Sequence, residues 1–244
     1  MSNELAVQAN TSLTVGGATT LIPEGLDVSD IKLPSLMLVQ EKSELERDGK
    51  ARPGDIYENN FGVLGGVDEA IEFIPIAVTK FWAMNSTPPG KKGKAIGYLP
   101  FNGEDWDKSS RDKAISFTNY KGEQVLGYPV KVISYQALLV KNMEFGGGLP
   151  HRISFKKSSI KSAAIKLNTI LTMSPGLPMW GRTFKLKSLL KTDENGSYYV
   201  YDIEPGTINS KQWCDIAAEW AKKCKVQPAK IEEVGGFEDV TGQF

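Results

Sequence analysis

His151–Leu190 reads HRISFKKSSIKSAAIKLNTILTMSPGLPMWGRTFKLKSLL, and it sets a strand on either side of one helix. In His151–Lys157, Arg152, Ser154 and Lys156 share one face against Ile153 and Phe155, the period-2 pattern of a half-buried strand. Ser158 is placed to cap a helix whose Ile160, Ala163, Ala164, Leu167, Ile170 and Leu171 form a single apolar stripe. Pro175 and Gly176 stop that helix. Thr183–Leu190 is the next strand, followed on one face by Lys191. Thr183, Lys185, Lys187 and Lys191 are expected to meet ligand or solvent, and Phe184, Leu186 and Leu190 to enter the core.

Outward from this block the pattern stays antiparallel. Asn195–Gly196 is a tight-turn signal and Ser197–Ile203 the returning strand. Ser210 caps a last helix with Trp213, Ile216, Ala217, Trp220 and Cys224 on one face. Upstream, Val130–Lys141 (VKVISYQALLVK) is a long strand joined to His151–Lys157 through Gly146–Gly148. Ile71–Trp82 (IEFIPIAVTKFW) is the first, with Pro75 marking an edge position or a bulge. Between them lie a basic loop, Met84–Gly97, and an irregular stretch with a short strand at Ala114–Tyr120.

Five strands with a helix between the third and fourth match the order of an OB-fold. The expected class is therefore mainly β with α (α+β): a five-stranded antiparallel OB-fold-like barrel carrying a C-terminal helix. A generic α+β sandwich uses the same elements. The domain reading is a flexible arm over 1–20, one domain over 21–225 with an insertion at 84–128, and an acidic tail over 226–244.

Charge is segregated along the chain. The protein has 29 basic and 29 acidic residues, yet Phe145–Thr192 holds nine basic side chains and no carboxylate. Met1–Lys80 leans the other way, with thirteen acidic residues against six basic ones. The acid-free stretch is either a solvated face neutralised by acids from elsewhere in the fold, or a track for a polyanion. Cations interleaved with aromatics favour single-stranded nucleic acid, which needs phosphate contacts and stacking faces.

The candidate binding residues follow from face and position. They are Arg152, Lys156 and Lys157 on the third strand and Trp180 and Arg182 in the loop before the fourth. Lys185 and Lys187 lie along that fourth strand, with Tyr199 on the returning strand. Trp82 stands at the mouth of the basic loop that carries Lys91, Lys92 and Lys94, and Lys131 and Tyr135 lie on the second strand.

Enzyme chemistry finds little to build on. A single histidine, His151, leaves triads without an obvious base, and with Cys214 and Cys224 it gives three soft ligands at no zinc spacing. No phosphate loop is present. Glu104, Asp105, Asp107 and Asp112 could serve a metal-dependent nuclease or simply be solvated. No cofactor is expected. Two cysteines argue for a reducing compartment. With no secretory signal and no long apolar run, the expectation is a soluble protein of the cytoplasm, with no membrane contact.

Leu33–Tyr57 carries the pattern L-P-x-L…Q…G-K-A-x-P-G-D-x-Y and is followed by Glu72-Phe73-Ile74-Pro75. These stretches resemble the N-terminal part of a group of tailed-phage single-stranded DNA-binding proteins of replication and recombination. Thr183–Ile203 and the helix Ser210–Cys224 resemble their closing hairpin and helix. The resemblance implies sequence-tolerant binding of single-stranded DNA, with strand annealing as the alternative within that class. Residues 84–128 lack the cysteine pairs of many such proteins, so no zinc ribbon is implied. It also implies that the C-terminal tail, with its acids and final Phe244, contacts replication or recombination enzymes and competes with DNA.

Overall fold

The computed structural model describes residues 14–15, 18–19, 33–88, 93–101, 113–119, 121–145, 148–194 and 196–225. In chain order the strands are β1 (Thr14–Val15), β2 (Ala18–Thr19), β3 (Ser35–Leu38), β4 (Ile56–Glu58), β5 (Gly62–Gly65) and β6 (Ile71–Asn85). They continue with β7 (Ala95–Pro100), β8 (Ile115–Thr118), β9 (Gln124–Leu139), β10 (His151–Lys156), β11 (Arg182–Asp193) and β12 (Gly196–Ile208). The helices are α1 (Glu44–Arg47), α2 (Ile165–Thr172) and α3 (Lys211–Lys225); a π-helical turn, Ile160–Ala164, leads into α2.

The architecture is a ten-stranded mixed sheet in the order β12-β11-β6-β9-β10-β3-β4-β5, with β7 attached to β6 and β8 to β9. This overturns the five-stranded OB-like barrel. The path is open, with no ladder between β12 and the β3–β5 end, and β10 pairs in parallel with β3. The missed strands β3, β4 and β5 are three or four residues long and lie in a Pro- and Gly-broken acidic segment. Their order comes from pairing with β10, far downstream, so no local periodicity announces them.

β6 and β9 are the spine, pairing from Phe73↔Leu139 to Asn85↔Tyr128. Pro75 is buried inside this central strand, and the register shifts between Pro75 and Ala77. The bulge thus accommodates a residue without an N–H. On one side of the spine Phe73, Tyr135, Ile153, Phe155, Phe184 and Leu186 form the main core, closed by Ala163, Ala164 and Leu167. The expected apolar stripe of the helix is the one that packs. Its start differs: the helix opens on the π turn, and Ser159 Oγ accepts the Tyr201 N–H at 3.2 Å instead of capping its own helix.

On the opposite side α3 lays Ile216, Ala217, Trp220 and Cys224 on Ile74, Ile76 and Leu138. Ser210 caps it, its hydroxyl accepting the Trp213 N–H at 3.3 Å. Beyond the core, β7 and β8 flank the distal halves of β6 and β9, around Trp82, Met84 and Phe117.

The ends of the curled sheet are joined by side chains. Gln40, just after β3, donates to the Tyr199 carbonyl at 2.9 Å and accepts the Tyr199 N–H at 3.0 Å. Tyr201 OH donates to the Leu36 carbonyl at 3.1 Å, and Ser162 Oγ to the Tyr201 carbonyl at 2.6 Å.

Candidate nucleic-acid interface

Alternation along β11 separates core from surface much as expected, with two departures. Phe184 and Leu186 are fully buried, and Lys185 and Lys187 point outward. Thr183, expected outside, is 2% exposed; its hydroxyl accepts the Thr207 N–H at 2.9 Å. Leu190, expected in the core, is 48% exposed because the β11–β12 hairpin runs on past the last β6 pair, Leu186↔Ile71.

The register decides what the outward lysines meet. Lys185 stands opposite both Glu72 and Glu204, and its Nζ lies 3.6 Å from Glu72. Lys187 Nζ is 3.2 Å from Glu204, and Lys166 on α2 is 3.0 Å from Asp202. Three cations of the acid-free stretch thus face carboxylates from outside it.

The other cations gather near β10. Arg152 and Lys156 share its face away from the main core, half-buried, and burial lowers the pKa of the Arg152 guanidinium. Lys157 follows, exposed and at φ 47°, and Lys161 is exposed on the π turn. The β10–β9 register ends at Lys156↔Val132, and Lys157 turns away from the ladder. Lys131 pairs with Trp82 across β9–β6, which makes Lys80, two residues before Trp82, its diagonal neighbour on the same face. The ring of Phe101 lies against this pair, its centroid 4.9 Å from Lys131 Nζ and 6.0 Å from Lys80 Nζ.

The expected stacking residues fare unevenly. Trp82 and Tyr135 are 1% and 0% exposed, so neither ring offers a face to a base. Trp82 packs at 5.8 Å from Phe101; Tyr135 OH donates to Asn168 Oδ1 at 2.6 Å, and burial pushes its pKa up to about 12. Both fail as platforms because other side chains cover them: Phe101 and Phe117 pack over Trp82, and Phe155 and α2 over Tyr135. Trp180 is half-buried against the α3 cluster, and its carbonyl accepts Asn209 Nδ2 at 2.8 Å. Tyr199 is half-buried, its ring crossing over Gly54. Arg182 is half-buried at the start of β11. Lys94 is exposed, its N–H donating to Ser86 Oγ at 3.1 Å, while Lys91 and Lys92 lie outside the described residues.

Lys80 and Phe101 were missed by sequence reasoning. Lys80 sits in a strand read for its apolar content, and Phe101 in a segment without periodicity. Their meeting depends on the β6–β9 register and on β7 folding back along β6.

Among the described residues no three His, Cys, Asp or Glu side chains gather as a metal ion would require. Glu104, Asp105, Asp107 and Asp112 lie outside them. An open groove of about 330 Å³ runs along α2, lined by Ile165, Asn168, Thr169, Thr172 and Met173, with no charged group. No helix among the described residues is long and apolar enough to cross a membrane.

The class so defined is a curled mixed-sheet β protein with cations at the distal end of its central strands. The chain belongs to the Pam3 phage gp34-like protein family, whose description matches residues 18–230. The bacteriophage character expected from the sequence is thereby established at the level of the family. No curated protein and no solved structure matches the chain.

Proposed function

We propose that this phage protein binds single-stranded DNA without catalysis and with little sequence preference, in replication or recombination. One observation supports the reading: the acid-free stretch leaves Lys157 and Lys161 exposed just beyond β10, while its Lys166, Lys185 and Lys187 face Asp202, Glu72 and Glu204. A local excess of positive charge at one end of a sheet attracts a polyanion although the whole chain is neutral.

The test is a salt-series titration with mixed-sequence single strands and with duplex. Affinity for single strands falls with salt at a slope of about −0.7 per phosphate neutralised. Equal affinity for duplex, or no salt dependence, overturns the proposal. In the same assay labelled strands stay intact with magnesium or manganese. Cleavage that Asp105→Ala with Asp107→Ala abolishes assigns the protein to the nucleases instead. Faster pairing of complementary strands marks it as an annealing protein. The acidic C-terminal segment is the proposed contact for replication or recombination enzymes, tested by pull-down with and without residues 235–244.

A further inference from the structure

The face of the sheet that carries α3 is not apolar throughout. At one end Ile74, Ile76 and Leu138 lie under α3; at the other Phe81, Ala83 and Val132 lie under Tyr98. A polar strip separates the two clusters. The registers align Ala77, Gln136, Arg152 and Ser35 in one row across β6, β9, β10 and β3, and Thr79, Ser134 and Ser154 in the next. The β9 and β10 members point away from the main core, since their strand neighbours Tyr135, Ile153 and Phe155 enter it.

The strip holds a cation partly removed from water. Arg152 is half-buried, and burial lowers the pKa of its guanidinium, an effect that the nearby Tyr98 opposes. Among the described residues no carboxylate lies within ion-pair distance of it, whereas Lys166, Lys185 and Lys187 each meet one. A charge desolvated without a counter-charge costs free energy, and an anion would return it.

Beside the guanidinium stand donors of a second kind. Ser134 is 6% exposed, and its Oγ lies 3.1 Å from Ser154 Oγ. Two hydroxyls joined by one hydrogen bond use one proton and keep the other for a further acceptor. Among the described residues the buried Gln136 Oε1 has no hydrogen-bond partner, and the amide turned about its last bond presents its NH2 group there instead.

Arg152 and Ser154, two residues apart on one strand, are about 7 Å apart at the backbone. That span fits a phosphate group with hydrogen bonds of about 2.8 Å on either side. The guanidinium fork accepts either a carboxylate or a phosphate. A planar carboxylate aims both oxygens at the fork, whereas a tetrahedral phosphate turns oxygens to the fork and to the hydroxyls at once.

We infer that Arg152, with the Ser134–Ser154 hydroxyl pair and the Gln136 amide, forms a binding site for one phosphate group. This goes beyond the single-strand reading, because a free phosphate or mononucleotide and the backbone of a bound strand present the same chemistry.

The experiment uses the full chain and two variants. Calorimetric titration with inorganic phosphate and with thymidine monophosphate, at constant ionic strength in chloride, reads the small ligands. Fluorescence anisotropy reads labelled oligothymidine. Arg152→Lys keeps the charge and loses the fork, and Ser154→Ala removes one hydroxyl. Each is expected to weaken the occupying ligand on the order of tenfold. Circular dichroism reads folding, and if Arg152→Lys unfolds, Ser154→Ala decides. Weakening confined to the oligomer makes a backbone phosphate the occupant; weakening confined to the small ligands makes it a free phosphate or a nucleotide. Normal affinity of both variants for all three ligands overturns the site and leaves the function standing. Arg152-dependent binding of phosphate or nucleotide by a chain that does not bind oligothymidine keeps the site and overturns the single-strand function. A full chain that binds none of the three overturns both.

Discussion

The side-chain amide of Gln40 forms two hydrogen bonds with the backbone of Tyr199, 159 residues away, giving one N–H and receiving another. An amide imitates the peptide of a neighbouring strand, so this one residue does at the sheet's open seam what a further strand would do in a closed barrel. With Ser159 and Ser162 on Tyr201, it occupies outward-facing groups of the edge strand β12, and Pro205 supplies no N–H.

Gln40→Ala leaves the Tyr199 N–H and carbonyl without these partners in a part-buried seam. The expected loss is about 1–3 kcal/mol, read as a lower urea midpoint with unchanged m-value. The Tyr199 amide should also exchange faster with solvent. An unchanged midpoint would show that the seam closes without Gln40.

Gly54 lies under the Tyr199 ring at φ +91°, and a Cβ there would come within 2.6 Å of Tyr199 Cε1. Gly54→Ala therefore combines left-handed strain with a clash against a ring that Gln40 holds by its backbone. It should cost at least about 1–2 kcal/mol and lower the melting temperature, more than Gly122→Ala, where positive φ meets open space. Equal costs at the two sites would refute the packing argument.

His151 sets a pH dependence. It is 2% exposed, its Nδ1 lies 3.1 Å from the Leu149 carbonyl, and its pKa is lowered to about 4. Burial is the main cause; the Leu149 contact opposes it, and the charge of Lys141 adds to it. The unfolded chain takes up its proton near the ordinary value of 6.5, so between about 6.5 and 4 it binds more protons than the folded one. Stability from this group is intact above that window and falls as pH drops through it, by about 3 kcal/mol in all. Urea midpoints of wild type and His151→Gln across that range should converge as pH falls. Parallel curves would remove His151 as the cause.

Lys185→Ala with Lys187→Ala serves as a contrast to the cations near β10. Each partner carboxylate already cancels these charges, and exposed pairs of this kind contribute under about 1 kcal/mol, so folding should survive. Affinity for single strands should change less than in Lys157→Ala with Lys161→Ala, which removes charges that no described carboxylate engages. The reverse ranking would return the binding track to β11.

Local pattern made the longest elements legible. The strand read at Ile71–Trp82 is Ile71–Asn85, that at Val130–Lys141 is Gln124–Leu139, and the final hairpin and helix lie where Asn195–Gly196 and Ser210 put them. What escaped was pairing over distance. β3 gains its place from β10, and no residue in Ser-Leu-Met-Leu announces that partner. The same blindness affected the site. Alternation correctly turned Lys185 and Lys187 outward, yet their partners Glu72 and Glu204 become visible only once β6, β11 and β12 are in register. Trp82 was read toward a ligand by its place beside a basic loop, whereas packing against Phe101 and Phe117 buries its ring.

The parallel seat of β3 beside β10 has a consequence for how the chain is made. Strands β3, β4 and β5 leave the ribosome well before β10, the partner that seats them in the sheet. They must wait as a short polar and apolar mixture until β6, β9 and β10 have assembled. The Gln40 bridge can form only after Tyr199 of β12 emerges, 159 residues further along the chain. A chain interrupted before β12 therefore has a spine but no clasp, and slow, long-range closure falls to the β11–β12 hairpin.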